Sequence, residues 1–175
     1  RGVGGEAVAY MEKAFALDTS DARMLMELDQ LYKRLQRPHQ ERLDFLQKYP
    51  QLIARRDDLV LEEITLLNQL GRYEEAMTKL DSHQFHPWEG GEGKVPAQYQ
   101  ICRVELAKRG LTPAPLSQRG VDTIAVEEAI RLLKECLEYP HHLGEGKLYG
   151  AQENDFYYLL GIAYDKLATA AEANS

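Results

Sequence analysis

Glu6-Ala7-Val8-Ala9-Tyr10-Met11-Glu12-Lys13-Ala14-Phe15-Ala16-Leu17-Asp18 sets Ala7, Tyr10, Met11, Ala14 and Leu17 three or four residues apart. That spacing is one apolar stripe along a helix, not the strict alternation of a strand. The next four residues, Asp18-Thr19-Ser20-Asp21, have short polar side chains that bond backbone amides, so they predict a cap and a new helix from about Ala22. This second helix carries Leu25, Leu28, Leu31, Tyr32 and Leu35 and stops before Gln36-Arg37-Pro38. A third, with Leu43, Phe45 and Leu46, runs to Tyr49-Pro50. Further along, Leu59 to Leu70 forms another helix before Gly71, and Tyr99, Cys102 and Leu106 precede Gly110. The period stays near 3.6 as far as Tyr164, so an all-α fold is expected.

Composition narrows the function classes. The chain has 175 residues, 44% hydrophobic and 28% charged with seven prolines, which is the balance of a globular protein and not of a disordered one. Twenty-one Lys and Arg against 28 Asp and Glu give a net charge of −7, the wrong sign for neutralising phosphates along a nucleic acid. No run of 18 apolar residues offers a membrane span, and Arg1-Gly2-Val3-Gly4-Gly5 has no apolar stretch for a signal peptide. Cys102 and Cys136 are too few and too far apart for a disulfide framework, which favours a reducing, cytoplasmic setting. The expectation is a stretch of a longer parent, with a disordered tail at 1–5, a helical domain at 6–167 and a C-terminal tail at 168–175.

The order of stripe, short turn and stripe resembles the tetratricopeptide repeat, an antiparallel helix pair of about 34 residues. Tyr157, Leu160, Gly161 and Tyr164 match its first-helix signature, and Ala7, Met11 and Ala14 match its second helix. Gly71-Arg72-Tyr73-Glu74-Glu75-Ala76 reproduces the inner turn, and Ala129, Leu133 and Cys136 follow on a later helix. Asp29 and Arg103 depart from the pattern where a small residue is usual on the first helix, Glu41 does so on the second, and 111–123 lengthens one inner turn. The resemblance implies a right-handed α-solenoid of four to five antiparallel helix pairs, incomplete at both ends. Physically, each hairpin has an apolar face too wide to bury alone, and stacking covers it.

Two long Gly-rich loops interrupt this array between repeats. Trp88-Glu89-Gly90-Gly91-Glu92-Gly93-Lys94 has a counterpart in Leu143-Gly144-Glu145-Gly146-Lys147, and Ala-Gln follows closely in both. One reading makes them a ligand rim of His86, Trp88, Glu89, Glu92, Lys94, His142, Glu145, Lys147 and Tyr149. Aromatic rings beside carboxylates and lysines suit a polyhydroxylated ligand or a partner's loop. The plainer reading is that glycine supplies unusual backbone angles for wide turns and Trp88 plugs a hairpin end. A phosphate-binding P-loop is excluded: Trp88 and His141 stand where its first Gly belongs, and Val95 and Leu148 where it needs Ser or Thr. His83, His86, His141 and His142 gather in the same loops without a cysteine, so no metal and no cofactor are expected. Carboxylate pairs such as Glu62-Glu63 and Glu74-Glu75 lie on helices, where adjacent side chains diverge, so no acid/base pair and no enzyme activity is expected.

Repeats of this type commonly hold a peptide on the concave face of their first helices. In this register that face carries Arg23, Met26, Gln30, Lys33 and Arg34, then Asp58, Leu61, Thr65 and Asn68, then Asp155 and Tyr158. Met26 and Gln30 stand where carboxylate-clamping members have Lys and Asn. The stretches Phe85 to Tyr99 and Asp29 to Lys33 further resemble the C-terminal helical region of bacterial proteins that carry a β-rich domain of unknown function. The expected role is a non-enzymatic scaffold that docks a protein, a peptide or a neighbouring domain of its parent. The alternative is a helical accessory lending loops to a carbohydrate-processing enzyme in the same parent, with carbohydrate as ligand. Neither reading involves nucleic acid or membrane.

Overall fold

A computed structural model describes residues 3–112, 121–138, 140–144 and 152–173. Among these residues every regular element is a helix. The chain divides into two compact units, Arg1–Arg72 and Tyr73–Ser175, with the division in the turn between α5 and α6.

The first unit contains α1 (Val3–Leu17), α2 (Ala22–Arg34), α3 (His39–Leu46), α4 (Pro50–Ile53) and α5 (Asp57–Gln69). Asp21 caps α2 by accepting from the amides of Arg23 and Met24 at 2.8 and 3.1 Å, which satisfies two donors the first turn leaves open. Leu25 and Leu28 on α2 and Leu43 and Leu46 on α3 are fully buried. Beside them Phe15, Tyr32, Phe45 and Tyr49 make edge-to-face contacts with ring centroids 5.0 to 6.2 Å apart, a geometry that suits aromatic quadrupoles. On α1 the buried residues are Val8 and Phe15, whereas Tyr10 and Leu17 are 72% and 90% exposed. The helix is apolar on nearly every side, so its spacing fits two stripes equally, and the large Phe15 takes the inward one.

The second unit contains α6 (Tyr73–Ser82), α7 (Lys94–Leu111), α8 (Thr123–Leu137), a short 3-10 turn at His141–Leu143 and α9 (Gln152–Ala173). Neighbouring helices run antiparallel: Arg109 near the end of α7 reaches Glu74 at the start of α6, and Gly110 abuts the Ala125 carbonyl at the start of α8. A Cβ on Gly110 would lie 2.7 Å from that oxygen, so glycine sets the closeness of α7 to α8 from inside the last turn of α7. The core joins Ala107 and Leu111 to Val126, Ala129, Ile130 and Leu133 and to Leu160 and Ala163 of α9. Cys102 and Cys136 are both buried, as small core residues. The α1 helix begins inside the segment expected as an N-terminal tail, and α9 continues past residue 167 with Ala170 buried. Residues 113–120 of the lengthened inner turn lie outside the described residues.

Candidate functional site

The stripe Ala97, Ile101, Val104 and Lys108, spaced by four, three and four, runs along α7 at the edge of the unit's core, against which Val104 packs while Ile101 stays exposed. It lines a cleft of about 430 Å3 whose opposite wall is the start of α9, with Asp155, Phe156, Tyr158 and Leu159. Phe156 is buried as the floor, while Ile101 is 40% and Tyr158 71% exposed. Lys108 pairs with Glu105 at 2.7 Å at one end. Asp155 at the other is exposed and makes no ion pair with described residues. The volume falls within the ~300–1,000 Å3 typical of binding clefts, and walls this apolar suit a nonpolar side chain more than a reacting polar substrate.

Two of the expected concave-face residues, Asp155 and Tyr158, line this cleft. The others belong to the first unit. There Arg23 pairs with Glu27 at 2.9 Å, Lys33 with Glu62 at 3.0 Å and Asp58 with Arg56 at 2.6 Å. Thr65 donates to the Leu61 carbonyl at 2.7 Å. Leu61 and Asn68 are buried, Met26 and Gln30 half-buried, and Arg34 is exposed.

The first Gly-rich loop is two consecutive tight turns. The Gly91 amide donates to the Trp88 carbonyl at 3.0 Å, and the Lys94 amide to the Gly91 carbonyl at 3.0 Å. The third residue of each turn, Gly90 and Gly93, has φ of 77° and 72°, which a residue with a Cβ adopts only at a cost. Gly91 is needed for another reason: a Cβ there would lie 2.4 Å from the Trp88 ring that covers it. Trp88 is half-buried on this turn, and the buried plug of the loop is Phe85. His86, Glu89, Glu92 and Lys94 are exposed.

The described part of the second loop meets the first. Phe85 donates its amide to the His142 carbonyl at 2.7 Å, and a Cβ on Gly144 (φ 74°) would lie 2.5 Å from the Phe85 carbonyl oxygen. His142 is half-buried, and its Nε2 is buried with no hydrogen-bond partner among the described residues. Glu145, Lys147 and Tyr149 lie outside the described residues. Gly91 and Gly144 occupy the same place in the shared tetrapeptide, yet only Gly144 has positive φ, so the two copies fold differently where they can be compared.

Two ion-pair networks account for the charged first-helix departures Asp29 and Arg103, while Glu41 is exposed. Arg42, 2% exposed, donates to both oxygens of Asp29 at 3.0 and 2.6 Å and to Glu62 at 2.6 Å. Burial pushes the Asp29 carboxyl up from its ordinary range despite Arg42. At Glu62 burial acts in the same sense, but hydrogen bonds from Arg42 and the charge of Lys33 overcome it and hold the carboxyl low. The two carboxylates that share this guanidinium divide because Glu62 also bonds Lys33, whereas burial dominates at Asp29. Arg103 likewise donates to Asp81 at 2.6 Å and Glu135 at 2.8 Å, and its guanidinium stacks 3.5 Å from the Tyr99 ring centroid. Burial raises the Cys102 and Cys136 thiols to about 11 and about 12, against a weaker pull from Arg103.

Among the described residues no group of three or more His, Cys, Asp or Glu side chains could hold a metal ion, and no helix is long and apolar enough to cross a membrane. The cleft residues Ile101, Val104, Phe156 and Leu159 escaped the sequence reading. Their signal was present as an apolar stripe on α7 offset from Tyr99 and Cys102. No protein-family model matches the chain, and no solved structure matches it.

Proposed function

We propose that the chain is a non-enzymatic docking module of the tetratricopeptide type, a stacked array of helix pairs that takes a peptide or an extended segment of a protein in the cleft between α7 and α9. The carrying observation is that cleft: an apolar wall open to solvent at Ile101 and Tyr158, with the exposed carboxylate of Asp155, which makes no ion pair with described residues, at its rim. The helices α7 and α9 are the first helices of successive repeats in this reading, so the cleft corresponds to the concave side. Along α7 from Ala97 to Lys108 the wall is about 17 Å long at 1.5 Å per residue, room for roughly five extended residues. The two free, buried thiols fit a reducing, cytoplasmic setting.

The test is selection of peptides from a random display library on the wild-type chain, followed by affinity measurement on Ile101→Glu and Tyr158→Ala variants. Loss of about tenfold or more in both, with the helical spectrum intact, is the expected result, since a buried aromatic anchor carries that much binding energy. Selected peptides that bind both variants as tightly as wild type would place recognition elsewhere and end the reading.

A further inference from the structure

In the first unit, between the end of α2 and the start of α3, lies a hollow of about 320 Å3 lined by Lys33, Gln36, Arg37, Pro38, His39, Arg42 and Gln69. Four of these side chains are basic, two are amides, and no carboxylate lines it. We propose that this hollow is a binding site for the phosphate group of a small phosphomonoester, independent of the docking cleft in the other unit.

Donor capacity is the first support. Lys33 has three N–H groups and meets only the one Glu62 carboxylate. Arg37 has five and uses Nη2 alone, toward Glu12 at 3.3 Å, while its plane rests 4.0 Å from the Tyr32 ring centroid. The side chains of Gln36, His39 and Gln69 form no hydrogen bond with described residues. Arg42 is committed to Asp29 and Glu62 and contributes charge more than donors. The three carboxylates that partner this group stand outside the lining, so they temper the field without occupying the space.

Backbone geometry adds to it. Pro38 precedes the first turn of α3 and offers no side-chain cap, so the amides of that turn open where Pro38 and His39 line the hollow. The end of α2 turns three of its last carbonyls back into the chain, with Leu31 accepting from the Leu35 amide at 3.1 Å. The Tyr32 and Lys33 carbonyls accept from the Arg37 and Gln36 amides at 3.1 and 3.0 Å, closing the helix in the manner of a Schellman turn.

The sequence choice at Gln36 is the third observation. Its φ of 55° puts it in the left-handed region, alone among the described non-glycine residues. Glycine is the favoured residue at this helix-terminal position, and a side chain there costs stability. Gln36 keeps a side chain at that cost, and the side chain lines the hollow. Phosphate suits the arrangement better than carboxylate, because its three terminal oxygens accept from the α2 side chains and the α3 amides at once, where a planar carboxylate offers two.

The experiment is an amide chemical-shift titration of the 175-residue chain with glycerol phosphate and with inorganic phosphate, and with glycerol and succinate as comparisons. Both phosphates should shift the resonances of Lys33 to Gln40 saturably, and glycerol should not. Gln36→Gly should raise the melting temperature while weakening glycerol phosphate about fivefold, the worth of one hydrogen bond. Lys33→Met should weaken it about tenfold, and Lys48→Gln, exposed and outside the hollow, should leave it unchanged. Gln36→Gly relieves strain and so tests the site even if Lys33→Met fails to fold. No saturable shift with either phosphate, an undiminished affinity in Gln36→Gly, or succinate binding as tightly as glycerol phosphate would overturn the assignment.

Discussion

Replacing Arg42 by methionine keeps an unbranched, flexible stem and removes the guanidinium that two buried carboxylates share. Asp29 is 0% exposed and loses both of its contacts, at 3.0 and 2.6 Å, and Glu62 loses one at 2.6 Å and keeps Lys33. Breaking a buried pair from one side costs roughly 3–5 kcal/mol, because the remaining charge is neither solvated nor paired. The same change at Arg103 should cost only about 1–2 kcal/mol, since its partners Asp81 and Glu135 have side chains 45% and 26% exposed and water can replace the guanidinium. In urea denaturation followed by circular dichroism, with a slope of about 2 kcal/mol/M, the Arg42→Met midpoint should fall by roughly 2 M and the Arg103→Met midpoint by less than 1 M. Acid supplies a second check. In the wild type Glu62 is held low, so its stabilisation is present above the ordinary carboxylate pKa and is lost as pH falls through its folded value. In Arg42→Met both carboxylates move up, the folded state gains protons as pH falls, and the deficit shrinks. The gap between the two proteins should therefore narrow from pH about 7 toward about 4. A cost at Arg42 no larger than at Arg103, or a gap that does not change with pH, would refute the reasoning.

Gly144→Ala should lower the melting temperature by an amount corresponding to about 1–3 kcal/mol, because the position combines positive φ with a Phe85 carbonyl 2.5 Å from the new Cβ. Gly161→Ala should instead stabilise by up to about 1 kcal/mol, as no atom lies within 4 Å of its Cβ position and the residue is helical; thermal unfolding of the two variants side by side reads both signs. Cys102 and Cys136, with thiols raised to about 11 and about 12, should resist thiol reagents in the native chain at neutral pH and react on unfolding. Fast native labelling of either would contradict their burial. Asp21→Ala should cost about 1 kcal/mol in the same unfolding assay, through loss of the two amide bonds that start α2.

Helix placement was legible because it rests on local chemistry. Capping at Asp21, the turn at Gly71 and the proline before α3 are each decided within a few residues, and each appears where the sequence puts it. Which face of a helix turns inward is a different question, and α1 shows why. Its alanines leave Tyr10, Leu17, Val8 and Phe15 at equal spacing on two faces, so only the shape of the cavity offered by Tyr32, Phe45 and Tyr49 selects Phe15. The same ambiguity hid the α7 cleft, since a helix apolar on two sides feeds both a core and an open groove.

The charged departures were visible yet unread. An aspartate at 29 and an arginine at 103, at positions that pack closely, each require an opposite charge on a neighbouring helix. Candidates on the next helix are few: Arg42 for Asp29, and Asp81 or Glu135 for Arg103. Burial of an ion therefore carries long-range information that an apolar residue in the same place would not, because any hydrophobe can answer another but only a cation answers Asp29. The repeated loop tetrapeptide gives the opposite lesson. Gly91 and Gly144 sit in identical words, yet one is small to admit the Trp88 ring and the other is bent to admit the Phe85 carbonyl. Glycine marks only that something comes close or that the backbone turns left, and both demands are met by the same letter. A likeness built on glycines thus says less about shared structure than the single pairing of Asp29 with Arg42, and what the loops hold together must be read from Phe85, Trp88 and His142, where the contacts are.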